Sequence, residues 1–237
     1  MKAMIFAAGF GTRLKPFTDK HPKALFKVNG ITLLERNIKY LKSFGIRSFV
    51  INIHYLGEQI IDFLEANNNF DCEIIVSDER DKILETGGGM LKAKNLLKDD
   101  DFLMMNADIL TDLKINQLIE VHKNTKALAT LAVMDRESSR KLRFDNINLL
   151  CGWENVKTKE VKIAREVNEF TLLAFSGIQV LSPTIFKKIQ QTNVFSIIET
   201  YLELAREEAI LGFNHQGSKF IDVGKIESVK KAEQFFQ

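Results

Sequence analysis

Apolar residues fall along the first half of the chain in two alternating rhythms. Residues 2–7 form a short continuous apolar run closed by Gly9, the pattern of a strand buried on both faces. Residues 31–44 place Leu34, Ile38 and Leu41 at helical spacing. Residues 47–53 are β-rich again, and 57–66 carry Ile60, Ile61 and Leu64 on one helical face. A strand over 72–77 follows. Next comes a glycine-rich turn at 87–89 that opens a helix to about Leu97, then a buried strand over 101–106. Residues 114–123 read as a helix through Ile115, Leu118 and Ile119, and 127–133 as a further strand. Alternating elements of this kind imply an α/β fold with helices on both faces of the sheet.

The second half is less regular. Segments 140–150 and 159–167 read as strands of a more exposed, antiparallel patch, and 172–181 as a strong buried strand. Pro183 opens a short helix, 196–208 turns Ile197, Ile198, Tyr201, Leu202 and Ala205 inward, and 226–236 forms a closing helix. No linker rich in Pro, Gly or Ser and no internal repeat interrupts the chain. The expectation is one Rossmann-like domain over 1–237 with a mixed, mostly parallel sheet.

Composition narrows the classes. The chain has 237 residues, enough to bury a full core without staples. Lysine plus arginine number 33 against 31 acids, for a net charge of +2, and acids and bases are interleaved, which argues against a nucleic-acid partner. Cys72 and Cys151 form no metal-ligand spacing, so a zinc site is not expected, and two unpaired thiols suit a reducing cytoplasm. No apolar run reaches the roughly 20 residues that cross a bilayer, so no membrane partner is expected. The charged residues after Phe10 argue against a signal peptide.

The sharpest chemical signal is the loop after the first strand. It runs from Ala7 through Ala8, Gly9, Phe10, Gly11, Thr12, Arg13 and Leu14 to Pro22 and Lys23, and holds two of the chain's three prolines. Its glycines let backbone approach a ligand closely, and successive backbone N–H groups can cradle phosphate oxygens. Arg13 offers a planar fork for phosphate and Lys23 a movable point charge. The loop leaves the carboxyl end of a strand, where open α/β sheets bind ligands. Leu14 stands where a dinucleotide fingerprint needs its third glycine, and no GK[ST] ending makes a P-loop.

Two aspartates follow strands. Asp108 emerges after an apolar run. It competes with the reading of a helix cap, a role for which Asp112 is better placed. Asp222 precedes Val223 and Gly224, and from the residues alone a simple turn aspartate is the better account of it. Gly87, Gly88 and Gly89 read as a turn with one glycine more than a turn needs. His54 reads as a hydrogen-bonded strand-end histidine. Gly152 and Trp153 are candidates to lie near a ligand, with core packing an equal account of the tryptophan.

The Gly9–Lys23 loop resembles the signature of the sugar-1-phosphate nucleotidylyltransferases, and the likeness extends along the whole chain. Residues 84–89 resemble the family's nucleobase-contacting turn, Asn106-Ala107-Asp108 its strand-end metal aspartate, Phe175-Ser176-Gly177-Ile178 its sugar-facing strand, and Ile221-Asp222-Val223-Gly224 its second metal aspartate. The resemblance implies the nucleotide-diphospho-sugar transferase type of fold, with a nucleotide-binding half over 1–135 and a sugar-binding half over 136–237. It implies nucleotide contacts at Ala8, Gly9, Gly11, Thr12, Arg13, Glu85, Gly87 and Gly88. It implies sugar contacts at Asn106, Gly152 and Gly177, and Mg²⁺ held by Asp108 and Asp222. Arg13 and Lys23 are the expected catalytic residues. The partners expected are a nucleoside triphosphate, with UTP favoured, and a sugar 1-phosphate, in a monomer or small homo-oligomer.

Within the family, the short length and the absence of a C-terminal β-helix resemble the N-acetylmuramate-1-phosphate uridylyltransferases. Short mannose- and heptose-1-phosphate guanylyltransferases are close to it as well. A nucleotidylyltransferase for a non-sugar phosphate, a non-catalytic nucleotide-sugar-binding module and a Rossmann-type oxidoreductase are the readings from other classes. Leu14 counts against the last of these.

Overall fold

Ala3, Met4 and Ile5 are fully buried in the first strand, Lys2–Phe6, in a computed structural model that describes residues 1–236. The strands Ser48–Ile53 and Glu73–Asp78 continue the sheet in parallel, with Ile5 opposite Ile51 and Ile51 opposite Val76. On the other side of Lys2–Phe6 lies Phe102–Asn106. The Ala107 N–H donates to the Phe6 carbonyl at 3.0 Å, so both strands deliver their following loops to the same edge. Helix Leu33–Ser43 begins where the Thr32 hydroxyl accepts the Glu35 N–H at 3.1 Å, and it buries Leu34, Ile38 and Leu41 as the periodicity requires. Helix Gly57–Ala66 buries Ile60 and Leu64.

These elements belong to one of two units into which the chain divides: Met1–Leu84, Met104–Ile115 and the chain from Ser218 on. In this unit the short strand Phe220–Asp222 pairs antiparallel with Ile109–Thr111. Ile221 and Val223 point into a cluster with Val28, Leu33, Leu110 and Ala232, on which Phe26 and Val229 pack. The period of two turns Asp222 outward between those anchors.

The other unit comprises Glu85–Leu103 and Asn116–Gly217. Its long strand Thr171–Leu181 pairs antiparallel with Ala129–Met134 and with Arg140–Phe144, while Ile210–Asn214 runs parallel to Ala129–Met134. The sheet is therefore mixed: its pairs named in the first unit are parallel, and the second unit combines antiparallel pairs with one parallel pair. Arg140–Phe144 turns back into Leu150–Asn155, which carries the short strand Val161–Ile163. The single strand expected over 140–150 is therefore two. The Asp145 carboxylate accepts the N–H groups of Ile147 and Leu149 at 3.1 and 2.7 Å, and Asn148 takes a left-handed conformation, a local turn that ends the run.

The expected turn at 87–89 is also corrected. All three glycines lie inside helix Glu85–Lys92. Gly87 lies against Phe195, and that packing outweighs the helix penalty of about 1 kcal/mol per glycine. Among the described residues, no helix is long and apolar enough to cross a membrane.

Candidate active site

The Gly9–Lys23 loop is held in shape by its own residues. Gly11 has φ +64°, and a Cβ there would lie 2.8 Å from Lys23 Cβ and 2.9 Å from Thr18 Cγ2, so glycine is required for both conformation and space. The Gly11 carbonyl accepts the Leu14 N–H at 2.8 Å and the Thr18 hydroxyl at 2.9 Å. Leu14, which breaks the dinucleotide fingerprint, is the buried anchor that leaves Arg13 exposed beside it.

Four residues singled out in the sequence converge in this unit. The Lys23 ammonium is ion-paired with Asp108 Oδ2, the two side chains being 14% and 21% exposed. The Val223 N–H donates to the Asp108 carbonyl at 2.8 Å, and Asp222 stands opposite Ile109, so Asp108, in the turn before Ile109–Thr111, adjoins the strand that carries Asp222. Gly224 lies between Asp222 and Arg13 of the loop. A Cβ on it would lie 2.6 Å from Asp222 Oδ1 and 2.9 Å from Arg13 Nη2. The unit thus carries two cations and two carboxylates near one another, with nearby backbone fixed by hydrogen bonds.

That donor set bears on a metal. Among the described residues there is no group of three or more His, Cys, Asp or Glu side chains placed to hold an ion. Two carboxylates, one in a turn and one on the strand beside it, suit Mg²⁺, which commonly takes one or two protein carboxylates and completes its octahedron from phosphate and water oxygens.

Asn106 is half-buried at the end of its strand, and the Ala107 carbonyl beside it accepts from Asn37 Nδ2 at 2.9 Å. Ala8 is buried and Gly9 exposed, with open space where a Gly9 side chain would be. His54 differs from expectation. Its Nδ1 is buried without a hydrogen-bond partner, and its ring meets Phe10 edge-on with centroids 5.1 Å apart. Asp112 is likewise not the cap of the next helix. That helix starts at Ile115, so residue 114 takes the cap position, and Asp112 Oδ1 accepts the Lys219 N–H at 2.7 Å.

The remaining candidates lie in the second unit. Glu85 opens its helix in a left-handed conformation. The Gly87 and Gly88 N–H groups donate to the Phe195 carbonyl at 2.9 and 3.3 Å. Gly152 has the Lys162 carbonyl 2.8 Å from where its Cβ would be, so close strand pairing accounts for that glycine. Gly177 has φ +70° at a bulge in its strand, next to Ser176, whose hydroxyl is 2.8 Å from His215 Nε2. Sequence reasoning missed Asn52 and Glu79. Asn52 gave a signal as the polar residue within an apolar strand run, whereas Glu79 stands among charged residues just past its strand and gave none.

Comparison with known proteins agrees with the whole length of the chain. The nucleotidyl transferase family profile matches residues 2–237. An N-acetylmuramate alpha-1-phosphate uridylyltransferase of Neisseria meningitidis is 31% identical over 98% of this chain and 97% of its own. A mannose-1-phosphate guanyltransferase of Yarrowia lipolytica is 26% identical over 95% of this chain and 61% of its own. Among solved structures, UDP-glucose pyrophosphorylase complexed with UDP-glucose superposes with a TM-score of 0.79 at 18% identity, covering 98% of this chain and 97% of that one. HddC from Yersinia pseudotuberculosis complexed with GMP-PN superposes with a TM-score of 0.78 at 22% identity, covering 100% and 99%. At those identities the two structures speak to the fold.

Proposed function

We propose UTP and N-acetylmuramate 1-phosphate as the substrates of this chain, which belongs to the nucleotidyl transferase family and is an enzyme of the sugar-1-phosphate nucleotidylyltransferase class. The observation that carries the substrate pair is the 31% identity to the uridylyltransferase across nearly the full length of both chains. The observations that support the chemistry are the closeness of Arg13 and Asp222 at Gly224 and the Lys23–Asp108 ion pair, with Asp222 paired opposite Ile109, the residue after Asp108.

In this reading a phosphate oxygen of the sugar 1-phosphate attacks the α-phosphorus of the triphosphate. A new P–O bond forms there, the bond to the bridging oxygen breaks, and pyrophosphate leaves with the electron pair. The nucleophile arrives anionic, so no side chain has to remove a proton. Catalysis is positioning and charge neutralisation. The Arg13 fork neutralises the departing pyrophosphate. Lys23, held beside Asp108, neutralises the phosphates as two polyanions are brought together. Asp108 and Asp222 are the residues that would hold Mg²⁺, which when bound neutralises phosphate charge as a Lewis acid. Ala8, Gly9, Gly11, Thr12, Glu85, Gly87 and Gly88 are assigned to the nucleotide, and Asn106, Gly152 and Gly177 to the sugar.

Pyrophosphate release across four triphosphates and several sugar 1-phosphates, with Mg²⁺ and with EDTA, tests the proposal. The expected result is release with UTP and N-acetylmuramate 1-phosphate that EDTA abolishes. Release with GTP and mannose or heptose 1-phosphate alone would reassign the substrates.

A further inference from the structure

Unit one contains a buried polar chain that the mechanism above does not use. The Ala7 N–H donates to Asn52 Oδ1 at 2.8 Å. Asn52 Nδ2 donates to Glu79 Oε1 at 2.8 Å. The Leu84 N–H reaches Glu79 Oε2 at 3.4 Å. The Glu79 N–H donates to the Ile53 carbonyl at 2.8 Å, fixing its backbone on the neighbouring strand. Asn52 is 2% exposed and Glu79 1%.

Burying a carboxylate and an amide among strand residues is costly, and an apolar side chain would fill either position without that cost. The chain is also directional. Both ends are backbone N–H donors, so residue 52 must present an oxygen to Ala7 and an N–H to residue 79. Residue 79 must then accept on both of its atoms, which a carboxylate does and a glutamine amide cannot. The amide orientation of Asn52 follows from these end donors.

The two ends of the chain are the residues that lead into proposed nucleotide contacts: Ala7 into Ala8 and Gly9, and Leu84 into Glu85. We infer that Asn52 and Glu79 are positioning residues for the nucleotide, holding the backbone at Ala7 and Leu84 in the conformation that binds it. Neither touches substrate, and the inference rests on the nucleotide contacts proposed above.

The test is a swap. In E79Q one amide N–H must face another donor. In N52D two carboxylates face each other. In the double variant N52D/E79Q the aspartate accepts the Ala7 N–H and the glutamine N–H, and the glutamine oxygen accepts the Leu84 N–H. All three bonds return with the middle one reversed and the net charge unchanged. UTP affinity by calorimetry, KM for UTP, kcat and thermal unfolding are measured on all four proteins.

Each single variant is expected to weaken UTP binding and raise KM by about tenfold or more, with a smaller change in kcat, the loss of a buried hydrogen bond to a charged group. The double variant is expected to return to within about threefold of wild type, a coupling that only interacting sites show. Wild-type KM and affinity in the singles, even with lowered thermal stability, would overturn the inference and leave the proposed function standing. A double variant no better than the worse single would overturn it too. Where a single variant fails to fold, the double still decides, since a folded double with weak UTP binding contradicts the inference. A wild-type protein that neither binds nor turns over any of the four triphosphates would instead remove the proposed function, and this inference with it.

Discussion

At Gly224 a single methyl group would come within 2.6 Å of an Asp222 carboxylate oxygen and 2.9 Å of the Arg13 guanidinium. Gly224→Ala should therefore displace both groups. The expected outcome is a large loss of kcat with a near-normal thermal transition, and a variant with full turnover would show that neither group is positioned by Gly224. Arg13→Ala and Asp108→Asn should each lower kcat by roughly 10² to 10³, the scale of losing one preorganised charge-stabilising group. Arg13 is exposed, so its circular dichroism spectrum and melting temperature should not move. Arg13, Lys23 and Asp108 could be picked out of the sequence because each stands at a strand end or in a glycine- and proline-marked loop, whereas Asp222 was singled out only by the family resemblance of residues 221–224. Asn52 and Glu79 could not, because a polar residue in an apolar run does not name its partner and a glutamate among charged residues reads as surface. The unbonded Nδ1 of His54 was equally invisible, since it depends on what packs around the ring.

Helix Glu85–Lys92 shows how packing overrides local preference. Three consecutive glycines signal a turn, yet here they form the buried part of a helix, and at Gly87 Phe195 leaves no room for a larger residue. A Cβ at Gly87 would come within 2.3 Å of the Phe195 ring and 2.9 Å of its carbonyl oxygen. Gly87→Ala should cost about 1–3 kcal/mol by overpacking, measured by urea denaturation, and adding Phe195→Ala should recover part of that loss. An unchanged midpoint in the single variant would contradict this packing account. The longer strands and helices of the first 134 residues were otherwise legible, because continuous apolar runs and 3.6-residue periodicity mark them directly; the two- and three-residue strands Lys27–Val28, Ile31–Thr32 and Ile109–Thr111 were too short to show such a pattern. The hairpin at 145–149 was not. It depends on the Asp145 carboxylate capturing two backbone N–H groups, and composition does not reveal that turn.

For the whole molecule, the buried His122 links stability to pH. Its Nδ1 lies 2.9 Å from the Thr130 hydroxyl and its Nε2 lies 3.8 Å from Asp101. Burial lowers its pKa below the usual histidine value of about 6.5, with Asp101 opposing in part. The unfolded chain then binds the extra proton. Stability from this group is complete above about pH 6.5 and is lost as pH falls toward the folded value. Denaturation midpoints between about pH 7.5 and 5 should decline, and His122→Asn should flatten that slope; an identical slope in the variant would assign the decline to other groups. The fold class was readable from the alternation of elements, and the family from motifs spread along the chain. The substrate pair was not, because base and sugar are chosen by distances within irregular segments. The central claim is transfer of a nucleotidyl group, and isotope tracing tests it most directly. UTP labelled with ³²P at the α or at the γ position is incubated with N-acetylmuramate 1-phosphate, Mg²⁺ and the protein. The account predicts α-label in a UDP-sugar and γ-label in pyrophosphate. Label from the γ position in the sugar product or in free phosphate, or no product from a folded protein that binds UTP, would contradict it.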